Sequence, residues 1–229
     1  MNFEEILSES KNLSLLINEK KINTFTSLPK KSSFSNEFID WLSPKYYDVF
    51  VELFDIYVDK ENKSPLIKLI NSDWYCNQTT TGRIIDFIKP YLDQAQKDSE
   101  EIKKQFSETK DVKKLVELTN TLEQKNFNYL NKALFNVKNS EIIKSFKDNL
   151  VGDAISICND LKEKKITKDI KNTIIVSITE MIEKITLNKE QNTVISQHKS
   201  DSNTSLIISV IIGALLAAFA LFRLISKFT

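Results

Sequence analysis

The residue types that carry most enzyme chemistry are scarce in this chain, and their spacing rules out several mechanisms. Its single histidine, His198, stands in a polar stretch near the C-terminal end. A Ser-His-Asp or Cys-His nucleophile needs an imidazole positioned inside a site. Zinc proteases and helical di-iron centres need two or more imidazoles. Cys76 and Cys158 are far apart in sequence. Two cysteines make neither a disulfide framework nor a zinc site, and they point to a reducing compartment. The three glycines, Gly82, Gly152 and Gly213, cannot build a phosphate-binding loop. Acidic neighbours such as Glu4-Glu5 and Glu100-Glu101 fall in helical, solvated contexts rather than as a general acid-base pair. No catalytic residue, metal site or cofactor is expected, and the chain does not read as an enzyme.

Two further positions carry charge in unusual company. Arginine occurs only as Arg83 and Arg223 among 32 basic residues, which reads as the codon bias of an AT-rich genome. Arg83 follows a glycine at an expected helix start, where a guanidinium can clamp a carboxylate; the plainer expectation is a salt bridge. Gly152-Asp153 lies in an apolar helix, with Gly152 expected to allow close helix approach and Asp153 to be solvated. The net charge of +1, with acids and bases interleaved, draws the chain to neither nucleic acid nor an anionic surface.

The elements that must position these residues are helices. Three glycines and four prolines in 229 residues are too few for a sheet with tight turns. The expected fold is all-α: a helical bundle with extended amphipathic, coiled-coil-like helices and a C-terminal transmembrane helix. A first amphipathic helix is expected over residues 1–18, with Ile6, Leu13 and Ile17 on one side. A polar connector follows. Residues 34–95 form a compact aromatic-rich helical core. In it, Ser43-Pro44 and Ser64-Pro65 each read as a helix start, since proline tolerates the first helical position. Tyr47, Phe50, Phe54 and Tyr57 recur at three- and four-residue spacing. Asp73–Thr81 reads as a loop, and Pro90 is expected to kink the helix after it.

Residues 97–187 change to longer, more charged helices with narrow apolar stripes. Leu115, Leu118 and Leu122 form one, and Phe127, Leu130, Leu134 and Val137 the next. Ile143, Phe146, Leu150, Ala154, Ile157 and Leu161 form a third; Ile166, Ile170, Ile174, Ile178, Met181 and Ile185 close the series. Such stripes suit an antiparallel bundle or a coiled-coil stalk shared with another chain.

A polar tether, 188–205, leads into an anchor over 206–225. Leu206 to Phe222 runs seventeen residues without a charge, covering roughly 25 Å as a helix, and Arg223 can snorkel to extend it. Ser209, Gly213 and Ala217 recur every fourth residue, a small-xxx-small face through which two anchors could pair as a homodimer. The opening MNFEEILSESKNLSLL has no apolar run of the signal-peptide kind. The expected topology is tail-anchored: a single-pass membrane protein with its N-terminal domain cytosolic. The short span suits the mitochondrial outer membrane or the endoplasmic reticulum. The sequons at Asn12, Asn62, Asn77 and Asn203 would then go unused.

Two stretches resemble signature motifs of the Bcl-2 family of apoptosis regulators, which are tail-anchored helical bundles. Thr81-Gly82-Arg83-Ile84-Ile85 is similar to the Gly-Arg-Ile-Val core of the family's first groove motif. Tyr47-Asp48-Val49-Phe50-Val51-Glu52-Leu53-Phe54 is similar to its second. The order is reversed here, a threonine stands where tryptophan precedes Gly-Arg, and the family's central hydrophobic helix is missing from its usual place. The resemblance implies a divergent apoptosis regulator of the mitochondrial outer membrane.

The main expectation is a scaffold, tether or receptor on the cytosolic face of an organelle, its partners the lipid bilayer and a protein. The surface expected to meet the protein comprises the stripes of the long helices, Ile174 and Ile178 included, and an aromatic face around Trp41, Tyr47, Phe50, Phe54 and Arg83. An outward-facing single-pass surface protein is the other alternative, and occupied sequons would reveal it.

Overall fold

A computed structural model describes residues 2–22, 26–137, 140–183 and 185, with isolated positions 191, 193, 196 and 198. Among these the chain is all-α. The helices are α1 (Phe3–Glu9), α2 (Lys11–Glu19), α3 (Asn36–Tyr57), α4 (Ser64–Asn71), α5 (Gln78–Glu108), α6 (Val112–Lys125), α7 (Tyr129–Leu134), α8 (Glu141–Glu163) and α9 (Lys168–Glu183). No helix among the described residues is long and apolar enough to cross a membrane. The expected anchor, with Leu206, Ser209, Gly213, Ala217, Phe222 and Arg223, lies outside the described residues, as does most of the tether.

Contacts divide the chain into two compact units. The first comprises Met1–Lys97 with Phe127–Asp148; the second takes Asp98–Asn126 and the described residues from Asn149 on. The helices α5 and α8 contribute residues to both. Residues 127–148, grouped by sequence with the long helices, therefore cluster with the aromatic core instead. The cause is their apolar set: Phe127, Leu130 and Leu134 are fully buried, and α7 packs on α4.

In the first unit, α3 carries the core. Phe38, Leu42, Tyr46, Phe50 and Leu53 recur at three- and four-residue steps, and each is at most 2% exposed. The helix starts at Asn36 under a Ser35 cap that accepts from the Phe38 N–H, not at Ser43-Pro44 as the sequence suggests. Pro44 sits inside α3, where its missing N–H removes one helical bond. The neighbouring Ser43 hydroxyl is buried and donates to the Ile39 carbonyl at 2.7 Å. The expected first helix is also corrected. It breaks at Ser10, whose N–H caps α1 on the Leu7 carbonyl at 3.1 Å, and α2 begins at Lys11. Ser64-Pro65 does open α4, with proline in its first turn. Pro90 falls within α5, which continues to Glu108.

The second unit is built from aliphatic stripes. Leu115, Leu118 and Leu122 of α6 are buried, as are Leu150, Ala154, Ile157 and Leu161 of α8 and Ile174, Ile178, Met181 and Ile182 of α9, and α6 packs on α9. Most of each stripe read from the sequence is thus core within this chain rather than a free seam, while Val137, Ile166 and Ile170 are half-buried. Lysine ammonium groups close two helix ends. Lys164 donates to the Ser107 and Thr109 carbonyls at 2.8 and 2.9 Å, at the C-terminal end of α5. Lys171 donates to the Lys162 and Lys164 carbonyls at 2.9 and 3.0 Å, at the end of α8. A cation there meets orphan carbonyls and the negative end of the helix dipole together.

Candidate interaction surface

The tightest polar assembly in the first unit is the junction that holds the start of α5 against α3. Asn77 is the N-cap of α5: its side-chain oxygen accepts from the Thr80 N–H at 2.9 Å. Its side-chain nitrogen donates to Asp40 Oδ1 at 2.9 Å, and its backbone N–H donates to the Ser43 hydroxyl at 2.8 Å. The Thr81 hydroxyl spends its proton on the Asn77 carbonyl at 3.0 Å. That leaves the Cys76 thiol as donor in the 3.4 Å contact with Thr81 Oγ1. Lys31 ties the connector down, donating its N–H to Asp73 Oδ2 at 2.7 Å and its ammonium to the Cys76 carbonyl at 2.6 Å. The Tyr75 hydroxyl donates to the Pro29 carbonyl.

Two clefts flank the ridge Asn71–Asp73. One, of about 770 Å³, is lined by Lys31, Trp74, Gln78, Thr81 and Asn136; the other, of about 560 Å³, by Lys30, Ser64, Ile67, Lys68 and Tyr75. The polar groups of Lys31 and Asp73 that reach the first cleft are already engaged in holding the loop. The clefts thus follow from the way the 26–35 connector crosses the α4–α5 loop.

Burial governs the titratable groups here. It pushes the Cys76 thiol and the Tyr75 hydroxyl up, with the Asp73 charge adding to the latter. Tyr46 is raised well above the usual phenol range by burial, with Cys76, Tyr75 and Asp73 adding to it. Its hydroxyl is enclosed and has no hydrogen-bond partner among the described residues. A raised thiol stays protonated and is a poor nucleophile at neutral pH.

The residues expected to face a partner separate by burial. Phe50 and Phe54 are 0% and 4% exposed, and Ile174 and Ile178 are 3% and 0%, so these four are interior and not contact surface. Trp41 and Tyr47 are half-buried on α3 and Arg83 is exposed on α5. The Arg83 guanidinium lies 4.1 Å from the centre of the Tyr47 ring, a cation–π contact, and among the described residues it forms no salt bridge of the kind expected. Trp41 is joined by residues that the sequence did not single out. Lys45 lies 4.1 Å above its ring, and Phe3 of α1 meets it at 5.6 Å. Tyr129, at 80% exposure, is a further exposed aromatic, with Lys132 at 5.8 Å from its ring.

In the second unit, Asp153 is buried at 8% exposure, not solvated as expected. It accepts from the Ser99 hydroxyl at 2.9 Å and from the Lys103 ammonium at 2.6 Å. A Cβ placed on Gly152 would meet nothing within 4 Å among the described residues, so this glycine serves no close approach there. Burial pushes the Cys158 thiol up to about 12. His198, read as part of the tether, is buried.

No protein-family model, curated protein or solved structure matches this chain.

Proposed function

We propose that this chain is a helical interaction protein held at an organelle membrane by its 206–225 segment, its helical units displayed on the cytosolic face as a scaffold, tether or receptor. The observation that carries the reading is the uncharged run Leu206 to Phe222 behind a polar tether. Confinement to two dimensions raises the effective concentration of the displayed surface for a partner. The exposed parts of Trp41, Tyr47 and Arg83 are the contact residues this reading uses.

Two features of the first unit support the cytosolic orientation. Cys76 is a free, buried thiol, as is Cys158 of the second unit, which suits a reducing compartment. The acceptor nitrogens of two sequons are engaged: Asn12 donates to the Ser27 carbonyl at 3.0 Å, and Asn77 donates to Asp40. A glycan on either would replace one of the two protons of a nitrogen already held in a hydrogen bond. The test is alkaline extraction of organelles carrying the full chain or a version ending at Asn203. The full chain is expected to stay with the membrane and the shorter one to be released. Release of both would sink the reading.

A second reading has one observation in its favour. The two stretches that resemble apoptosis-regulator motifs meet through the Arg83–Tyr47 contact, a juxtaposition that favours a regulator of the mitochondrial outer membrane. Decoration of the endoplasmic reticulum alone would remove it.

A further inference from the structure

We propose that α1 occupies a recruitment surface on α3, and that the partner it holds off is a short acidic amphipathic helix with the pattern Phe-Glu-x-x-Leu. The inference rests on the interaction-protein reading and names its partner by chemistry. The receiving face has three parts. Phe38 is its floor, buried and edge-on to the Phe3 ring at 6.0 Å and 74°. Trp41 is its wall, 5.6 Å from Phe3. Lys45 is its cation, 4.1 Å from the Trp41 ring centre and 2.7 Å from Glu4 Oε1. The helix seated there brings an aromatic residue, a carboxylate next to it, and a buried apolar side chain one turn on. In α1 these are Phe3, Glu4 and Leu7, the last 1% exposed.

The resident helix is lightly held, whereas its neighbour is not. Seven residues are too few for a stable isolated helix, so α1 depends on docking. Leu7 is its buried residue, and its ion pair to Lys45 has side chains 39% and 64% exposed, which screens it. In α2, by contrast, Leu13, Leu16 and Ile17 are buried and Asn12 bonds the Ser27 carbonyl, while Lys20, the C-cap of α2, pairs with Glu52. The break at Ser10 lies between the two, and the Ser10 side chain caps neither helix. Opening at Ser10 frees α1 both from α3 and from its packing on α2, while α2 stays seated, drawing on the low-stability end of the structure.

The experiment measures binding of a labelled peptide, residues 2–11 of this chain, to the full chain in detergent. With α1 loosened by the paired changes Phe3→Ala and Leu7→Ala, the peptide is expected to bind at least tenfold more tightly than to the unaltered chain. Adding Lys45→Glu to the loosened chain is expected to reverse that gain, and a peptide with Glu4→Lys to bind poorly. A loosened chain that keeps its helical signal and cooperative melting, yet binds no better, would overturn the proposal. So would an unaltered chain whose dimer depends on residues 2–9, since that gives the face to a second copy. If the loosened chain does not fold, hydrogen exchange on the unaltered chain decides. The α1 amides are expected to exchange at least tenfold faster than those of 38–53, and faster again with peptide; equal rates overturn the proposal. Membrane attachment is read separately: its loss strikes the display reading, while failed peptide binding on an attached chain strikes only the occlusion.

Discussion

The two units solve the same packing problem with different side chains. In the first, rings touch rings along one path. Tyr75 meets Tyr46 at 5.8 Å, Tyr46 meets Phe50 at 6.4 Å, Phe50 meets Phe54 at 6.2 Å, and Phe54 meets Phe87 at 5.6 Å. In the second, leucine and isoleucine stripes interlock, with Phe106 as a buried ring. Large rings fill volume with few residues, so the first unit can accommodate an irregular connector and loop. They also bring polar edges that must be met. Trp74 donates to the Ile70 carbonyl at 3.3 Å and Tyr91 to Asn131 Oδ1 at 2.9 Å, whereas the Tyr46 hydroxyl is unmatched. The second unit meets its polar needs with charge, at Asp153–Lys103 and at the lysine-capped helix ends. The difference teaches where each unit is vulnerable: the first to lost volume, the second to lost charge.

The sharpest test of that contrast compares Phe50→Ala with Ile178→Val, both sites being fully buried. Phe50→Ala is expected to lower unfolding stability by about 3–5 kcal/mol and Ile178→Val by about 0.5–1.5 kcal/mol, read from denaturant midpoints. Equal losses would break the comparison.

Alkali tests the second unit next. Cys158 has its folded value at about 12 against an ordinary 9.0. The unfolded chain therefore releases the thiol proton first, and stability is lost as pH rises from about 9 toward 12. At pH 10.5 the loss is about 2 kcal/mol by linkage. In Cys158→Ala, that part of the alkaline slope is expected to vanish. An unchanged slope would place the thiol in contact with water.

Asp153→Ala is expected to cost about 1–3 kcal/mol. It strands Ser99 and Lys103, but Lys103 is 38% exposed and can turn to water. Pairing Asp153→Leu with Lys103→Met is expected to recover most of the loss, as measured by a double-mutant cycle. Lys164→Met, removing two bonds to carbonyls at the end of α5, is expected to cost about 1 kcal/mol. The smallest effect has the opposite sign. Tyr46→Phe deletes an unpartnered hydroxyl and is expected to be neutral or to stabilise by up to about 1 kcal/mol.

Periodicity made the regular parts legible. The stripe from Ile143 to Leu161 reads correctly because 3.6-residue spacing is local information, and every residue in it is buried. The break at Ser10 and the passage of α3 through Pro44 were not legible. Ser10 offers no glycine or proline, and Pro44 follows a serine that imitates a cap. What decides against that cap is the Asn77 N–H, thirty-four residues away, on the Ser43 hydroxyl. Asp153 was misread for the same reason: its partners Ser99 and Lys103 are 54 and 50 residues distant. Of the residues expected to face a partner, Trp41, Tyr47 and Arg83 keep exposed surface. Phe50, Phe54, Ile174 and Ile178 were misplaced because a single face can be core or contact, and spacing alone does not say which. Phe3 and Lys45 became visible only where α1 meets α3.

The central claim is display on the cytosolic face, and protease access on intact organelles tests it most directly. The full chain carries an N-terminal tag, and the organelles are treated with protease with and without detergent. The account predicts digestion of the tag without detergent and no glycan on Asn62. A tag protected until detergent is added, or a glycan on Asn62, would contradict it and turn the helical units to the other side.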